Sequence, residues 1–388
     1  MLGWGVRFGM RWLLGDPGDT DGPGLVRLLR RGDPPLQVEA ARRLGRLPER
    51  QAADALVAAL GHPVPGVRRS AAMGLGRRAD PQDAAPLRTA LAEEPCTTPL
   101  LAAAAAWVRC GGDAEDAAEQ VGLHGDAAVQ TIGGWRSPSA AAGFGARTLQ
   151  RELLQLLDPF SVGEQVDWAT LEVPPVAELE ERLDALADKD PHAGSGRQAL
   201  EYLAALEPPD LVPRLELVRR DAGRRTDNSA LLALGRCGDP RAVALLLADL
   251  DRIDVDPGRG FAYRRLSAIG LGRLGMPHVT PRLLRALEVE ARDHEGRPGA
   301  GLGIQYPVRT NLLWALGETQ AGRSAKVLAT YLGDMSGSAL GGFYLPAMGA
   351  LVKLGQAAVP ALERARKRGS EVEQAHAGFV LDAIARQV

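Results

Sequence analysis

The sequence predicts an all-α protein, an alpha-alpha superhelix of stacked helix pairs, and three observations predict it. A pattern of apolar run, Leu-Gly, break and second apolar run returns along the chain, as "AAMGLGRRADPQDAAPLRTAL" (71–91), "LLALGRCGDPRAVALLLADL" (231–250) and "SAIGLGRLGMPHVTPRLLRAL" (267–287). Leucines keep fixed distances from the Gly of that pattern. Apolar residues make up 45% of the chain but aromatics only 4%, so the interior must be built from Ala, Leu and Val, as closely packed helix pairs allow.

The columns define each element in turn. With Gly45, Gly76, Gly235, Gly272 and Gly317 as anchors, Leu44, Leu75, Leu234, Leu271 and Leu316 stand one residue before. Leu56, Leu87, Leu246, Leu283 and Leu328 stand eleven after, and Leu60, Leu91, Leu250, Leu287 and Leu332 fifteen after. Columns four apart lie on one helix face. Ala40, Ala41, Ala71 and Ala72, four and five before the anchor, would let helix axes approach closely. The anchor Gly suits a left-handed C-cap of the first helix, and Asp80-Pro81, Asp239-Pro240 and Met276-Pro277 place Pro where a second helix begins. Helix, tight turn, helix is the unit, with a bare length of 31 from Gly45 to Gly76.

Further units are read in "GALVKLGQAAVPALERARKR", with a shortened turn at Gly355, in "EYLAALEPPDLVPRLELVRR", and in "LLAAAAAWVRCGGDAEDAAEQV", which keeps Asp113 in register. Between about 122 and 195 the register fails, although "ARTLQRELLQLLDPF" and "PVAELEERLDALADKD" still read as amphipathic helices. The expected organisation is an N-terminal cap over 1–32, repeats over 33–121, an irregular segment over 122–195, repeats over 196–368 and a capping helix over 369–388. "MLGWGVRFGMRWLLGDPGD" is interrupted by Arg7 and Arg11, which excludes a transmembrane span. It is read as the cap, with contact at a membrane surface as the alternative.

These units resemble the HEAT-like repeats first recognised in phycobilisome lyase (PBS lyase) subunits, whose pattern is close to V-R-x-x-A-A-x-A-L-G-x-x-G-D-P-x-A-V-x-x-L-x-x-A-L. "VRRSAAMGLGRRADPQDAAPLRTAL" (67–91) and "LLALGRCGDPRAVALLLADL" carry the likeness. It implies a HEAT/armadillo-type solenoid and, for function, protein binding as a scaffold or as an auxiliary subunit of an enzyme system such as a lyase.

Chemistry-bearing patterns are few. The net charge is −2, with −7 in residues 1–194 and +5 in the remainder, which gives no global pull toward nucleic acid or anionic membrane. Cys96, Cys110 and Cys237 form no C-x-x-C, so neither a disulfide framework nor a zinc site is expected, and the cytoplasm is the expected compartment. His294-Glu295 is the one His-Glu pair in the chain, too few ligands for the paired metal that some HEAT-repeat enzymes hold. No catalytic residue, metal or cofactor is therefore assigned. "DRIDVDPGRG" lacks the spacing of a calcium loop, and "GAGLG" lacks the strand that a dinucleotide fingerprint requires.

The second helices, expected on the concave side, offer Arg88, Arg282, Arg285, Lys326, Arg364 and Arg366, offset by Asp54, Asp83, Asp249 and Glu363. That mixture makes no continuous phosphate track, so nucleic-acid binding is the weakest function considered. Arg68, Arg264 and Arg309, all eight before an anchor, read as an internal ladder to acids or carbonyls of neighbouring units. Trp314 reads as packing between units.

The intervals between anchors grow to 37, 45 and 38 in the last repeats, lengthening 251–263, 288–307 and 333–344. Junctions of one kind emerge on one edge of a solenoid. Arg259, Phe261, Arg297, Tyr306 and Phe343 are the candidate residues of a partner-binding loop edge there, with Tyr263 expected in the core. The function expected is a non-catalytic scaffold or adaptor that binds another protein.

Overall fold

The structure is a computed structural model that describes residues 22–122, 211–221, 230–231, 233–235, 237–251, 257–292, 306–335, 337–338 and 341–386. Within them the N-terminal half runs α1 (Gly22–Arg31), α2 (Pro34–Leu44), α3 (Arg50–Ala59), α4 (Pro65–Arg78), α5 (Ala84–Glu93) and α6 (Thr97–Arg109). The C-terminal half runs α7 (Leu211–Asp221), α8 (Arg241–Leu250), α9 (Pro257–Leu274), α10 (Thr280–Arg292), α11 (Tyr306–Glu318), α12 (Ala325–Thr330), α13 (Tyr344–Leu354), α14 (Val359–Arg368) and α15 (Glu371–Arg386). The fold is an α-α superhelix. A two-residue antiparallel ladder, Gly337–Ser338 against Gly341–Gly342, is the one extended pairing among the described residues.

Every leucine of the three columns is buried, and the column eleven residues after the anchor is wholly inaccessible: Leu56, Leu87, Leu246, Leu283 and Leu328 are each 0% exposed. Pro or its substitute opens the second helix through a short 3-10 turn, at Pro81–Asp83, Pro277–Val279 and Gly322–Ser324. Asp80 caps the first of these turns by accepting from the Gln82 amide at 3.0 Å.

The anchor glycines do a different job from the one expected. Gly45 has φ −63, and Gly76 lies inside α4. The left-handed residue comes three positions after the anchor: Ala79 (φ 50), Gly238 (φ 64), Gly275 (φ 57) and Gln320 (φ 48). The anchors instead let neighbouring first helices touch backbone to backbone. A Cβ on Gly45 would lie 2.4 Å from Gly74 Cα, and one on Gly235 2.3 Å from Gly270 Cα.

First helices therefore form the tight layer, α2 against α4, α4 against α6, α9 against α11 and α11 against α13. α4 is the extreme case, with every residue from Pro65 to Gly76 buried. The second helices α3, α5, α10, α12 and α14 bury one face and turn the other to solvent.

α1 packs on α2 and α3, and α15 packs on α13 and α14. Tyr344–Arg368 has the length and mean hydropathy of a membrane span, but Gly355 (φ 55) breaks it into α13 and α14, whose apolar faces belong to the repeat core.

The two halves meet edge to edge. α4 and α6 contact α9, and the Gly66 amide donates to the Gly275 carbonyl at 3.4 Å. Arg42 reaches Asp239 at 3.2 Å, both side chains nearly inaccessible. The edge where N-terminal first helices begin thus rests on the edge where C-terminal first helices end.

Candidate functional site

A cleft of about 670 Å³ opens where the halves meet. Its apolar walls include Val57, Leu60, Pro63, Pro86, Pro95 and Leu354, and its polar groups include His62, Arg68, Glu93, Glu94, Gln320 and Lys353. Arg68 is aimed by its place in the first turn of α4, and Glu94 by the end of α5. The Arg68 guanidinium donates from Nε and Nη2 to the two oxygens of Glu94, each at 2.7 Å, and from Nη1 to the His62 carbonyl at 2.9 Å.

Gln320 brings the C-terminal half into this contact. Its left-handed backbone, uncommon outside glycine, turns the side chain so that Oε1 accepts from Arg68 at 3.1 and 3.2 Å while Nε2 donates to the Lys353 carbonyl at 3.0 Å. Lys353 Nζ pairs with Glu318 and donates to Thr97 Oγ1 at 3.3 Å, and Glu94 accepts from the Cys96 amide at 2.9 Å. The network is a clamp, and its charges are spent on one another. Burial works against the Arg68 charge, and Glu94 more than offsets it, so the guanidinium pKa is raised. Burial and then the Arg68 charge lower the His62 pKa. Burial first, then the nearby Glu318 and Glu94 carboxylates, push the Cys96 thiol well above its ordinary value, so Cys96 is a poor nucleophile.

The Arg ladder is real. Arg264 Nε lies 2.7 Å from Glu290, repeating Arg68 with Glu94, and Arg309 reaches the Glu290 carbonyl at 3.1 Å and Asp334 at 3.9 Å. Glu290 thus joins two successive units. Trp314 packs against Gly272 of the preceding unit, with Lys353 Nζ 5.7 Å from its ring centroid.

The loop-edge residues fare differently. Residues 257–263 belong to α9, so the lengthened junction there is shorter than the sequence suggests. Arg259 and Phe261 fall on that helix and Tyr306 opens α11, but their side chains lie outside the described set, as does Arg297 altogether. Phe343 is corrected: it is 7% exposed, and Arg309 Cζ lies 4.5 Å from its ring centroid, so it is core beneath a ladder arginine. Tyr263 is half-buried against the core.

Sequence reasoning missed Glu94, Gln320, Lys353 and Glu318. Glu94 and Glu290 both stand 18 residues after an anchor, a recurrence that could have been found. Arg68 and Gln320, 252 residues apart, carry no local signal. Among the described residues no group of three or more His, Cys, Asp or Glu could hold a metal.

A stack of helix pairs with leucine columns, contact glycines and an Arg–acid ladder defines an α-solenoid repeat protein. Residues 22–108 match the family model for HEAT repeats and residues 228–250 that for the PBS lyase HEAT-like repeat. No curated protein matches the chain. Among solved structures it is similar to yeast importin-β, at 14% identity and TM-score 0.36, covering 98% of this chain and 53% of that one. It is also similar to the complex of CpcE and CpcF of phycocyanin lyase from Nostoc, at 18% identity and TM-score 0.21, covering 88% and 97%. A structure concerned with the interaction between cadherin and β-catenin is similar at 14% identity and TM-score 0.28, covering 94% and 99%.

Proposed function

We propose that this chain is a non-catalytic scaffold or adaptor that binds another protein, acts in the cytoplasm, and is capped by residues 1–32 and 369–388. The observation that carries this reading is the fate of its buried charges. Arg68 with Glu94, Lys353 with Glu318, Arg42 with Asp239 and Arg219 with Asp249 hold units and halves together. Arg68, Glu94, Gln320 and Lys353, which reach the cleft, are engaged in that clamp, which supports a rigid surface for recognition over an assembly poised for chemistry. The free thiols of Cys96, Cys110 and Cys237 are consistent with a reducing compartment.

Affinity capture of the full chain from its native cell, followed by reconstitution with the purified partner, tests the reading. A defined complex between two proteins supports it; a chain that arrives with an absorbing cofactor and turns over a substrate overturns it in favour of an enzyme subunit. Within the same assay Phe261→Ala and Arg297→Ala test the loop edge. Unchanged recovery with both variants removes that edge as the binding site.

A further inference from the structure

The two halves treat the charges on their second helices differently. On α3 and α5 of the N-terminal half the exposed arginines are matched: Arg50 on α3 lies 3.0 Å from both Asp54 and Asp83, and Arg88 on α5 lies 3.1 Å from Asp116. In the C-terminal half the match fails. Arg282 on α10 pairs with Asp251 and Arg366 on α14 with Glu363, but Arg285, Arg323, Lys326, Lys367 and Arg368 have no side-chain partner among the described residues.

These side chains share one face of the array. On α12 and the turn before it, Arg323, Lys326, Val327 and Thr330 are exposed at helical spacing while Ala325 and Leu328 are buried. On α14 the exposed positions are Pro360, Arg364, Arg366, Lys367 and Arg368, opposite buried Ala361 and Leu362. α12 and α14 pack side by side, so two basic helix faces abut, and α10, the second helix of the preceding unit, carries exposed Arg285. Of the acids that offset this charge in the sequence, Asp83 is 0% and Asp249 3% exposed, each in an ion pair, while Asp54 and Glu363 stay accessible and pair with Arg50 and Arg366.

Exposed apolar side chains stand on or close after these helices in the chain. Among the described residues large hydrophobics are exposed at Val327 (36%), Met335 (61%) and Val372 (40%). Val327 follows Lys326 on α12, Met335 follows α12, and Val372 lies in the first turn of α15, which packs on α14. No aromatic residue stands on α10, α12 or α14, so the face offers no platform for unpaired bases and none of the large rings that seat a surface on a bilayer.

We infer that the solvent face of α10, α12 and α14 docks an acidic amphipathic segment of a protein partner, carboxylates facing the arginines and lysines and an apolar stripe covering Val327 and Val372. Like charges gathered without partners repel one another, and an anionic partner relieves that repulsion while the apolar side chains fix its register. This deepens the scaffold reading and rests on it.

The test uses the full chain and a fluorescein-labelled peptide of about eighteen residues, glutamates with leucines at helical spacing, long enough to form a helix on contact. A scrambled peptide of the same composition, a DNA duplex and phosphatidylserine vesicles are the competing probes. The expected result is that R323E/K326E/K367E/R368E weakens the patterned peptide by at least about tenfold, that V327S/V372S weakens it without changing the salt dependence, and that scrambling weakens it in the parent chain. All six positions are exposed, so circular dichroism should be unchanged; if the fourfold variant fails to fold, R285E/K326E carries the charge test. Equal binding of the patterned peptide by parent and reversed chains overturns the inference. So does preferential binding of the duplex or the vesicles with the same sensitivity to charge reversal. A native partner recovered equally by parent and reversed chains removes this site and leaves the scaffold reading standing, whereas peptide binding with no native protein partner removes the scaffold reading and leaves the surface.

Discussion

Arg68 and Glu94 lie 26 residues apart, yet the guanidinium of the first meets the carboxylate of the second through two 2.7 Å hydrogen bonds. Arg264 and Glu290 repeat the pairing at the same separation two units from the C-terminal end of the anchored series. The contact ties the start of a first helix to the end of the second helix in its unit, and Gln320 then joins the first of these pairs to the opposite half.

Removing one member of this pair should cost far more than removing both. Both side chains are nearly inaccessible, at 10% and 6% exposure. Glu94→Gln leaves a buried guanidinium without its counter-charge, an expected loss of about 3–5 kcal/mol in urea unfolding. Arg68→Met with Glu94→Leu should recover most of that stability, and a double variant as unstable as the single would assign the loss to packing.

The leucine columns make a second claim. Leu246→Ala and Leu283→Ala each empty a fully buried site and should destabilise by about 2–5 kcal/mol. Leu247, half-buried on the same helix as Leu246, should lose clearly less. Equal losses at 246 and 247 would break the register.

Glycines at two kinds of position should respond with opposite sign. A Cβ at Gly235 meets Gly270 Cα at 2.3 Å, so Gly235→Ala must separate two helices and is expected to cost about 1–3 kcal/mol. Gly378 lies inside α15 with nothing within 4 Å of an added Cβ, so Gly378→Ala should stabilise by about 0.5–1 kcal/mol. Thermal melts of the two variants read both signs.

Acid should unfold the protein in two stages. Burial and then Arg68 lower the His62 pKa below 6.5, so its neutral form is preferred in the fold; that stabilisation is complete above about 6.5 and is lost as pH falls through the lowered value. Asp239 is lowered below 3.8, because its hydrogen bonds from Arg241 and the charge of Arg42 outweigh burial, which is the largest single effect and acts the other way. Its contribution is present above 3.8 and fades as pH falls through the lowered value. Denaturation midpoints measured from pH 8 to 3 should fall through both windows, and Asp239→Asn should flatten the second.

What the sequence determined by itself was the repeat: the leucine columns, the helix-turn-helix unit and the burial that follows are local, because residues three, four, eleven and fifteen apart meet within one helix pair. The same local reading found the arginine ladder from the offset of Arg68, Arg264 and Arg309. Only the tertiary structure decided that the anchor glycines serve contact between helices while the left-handed position falls three residues later. A tight approach and a turn both favour glycine, and composition does not distinguish them. Only the tertiary structure withdrew Phe343 beneath Arg309, buried Asp249 in a pair with Arg219, left Arg285, Arg323, Lys326, Lys367 and Arg368 without side-chain partners among the described residues, and brought Gln320 to Arg68. Those facts depend on which surfaces the stacked units cover and on an edge contact between halves that lie more than two hundred residues apart in sequence, and no periodicity within a unit encodes either.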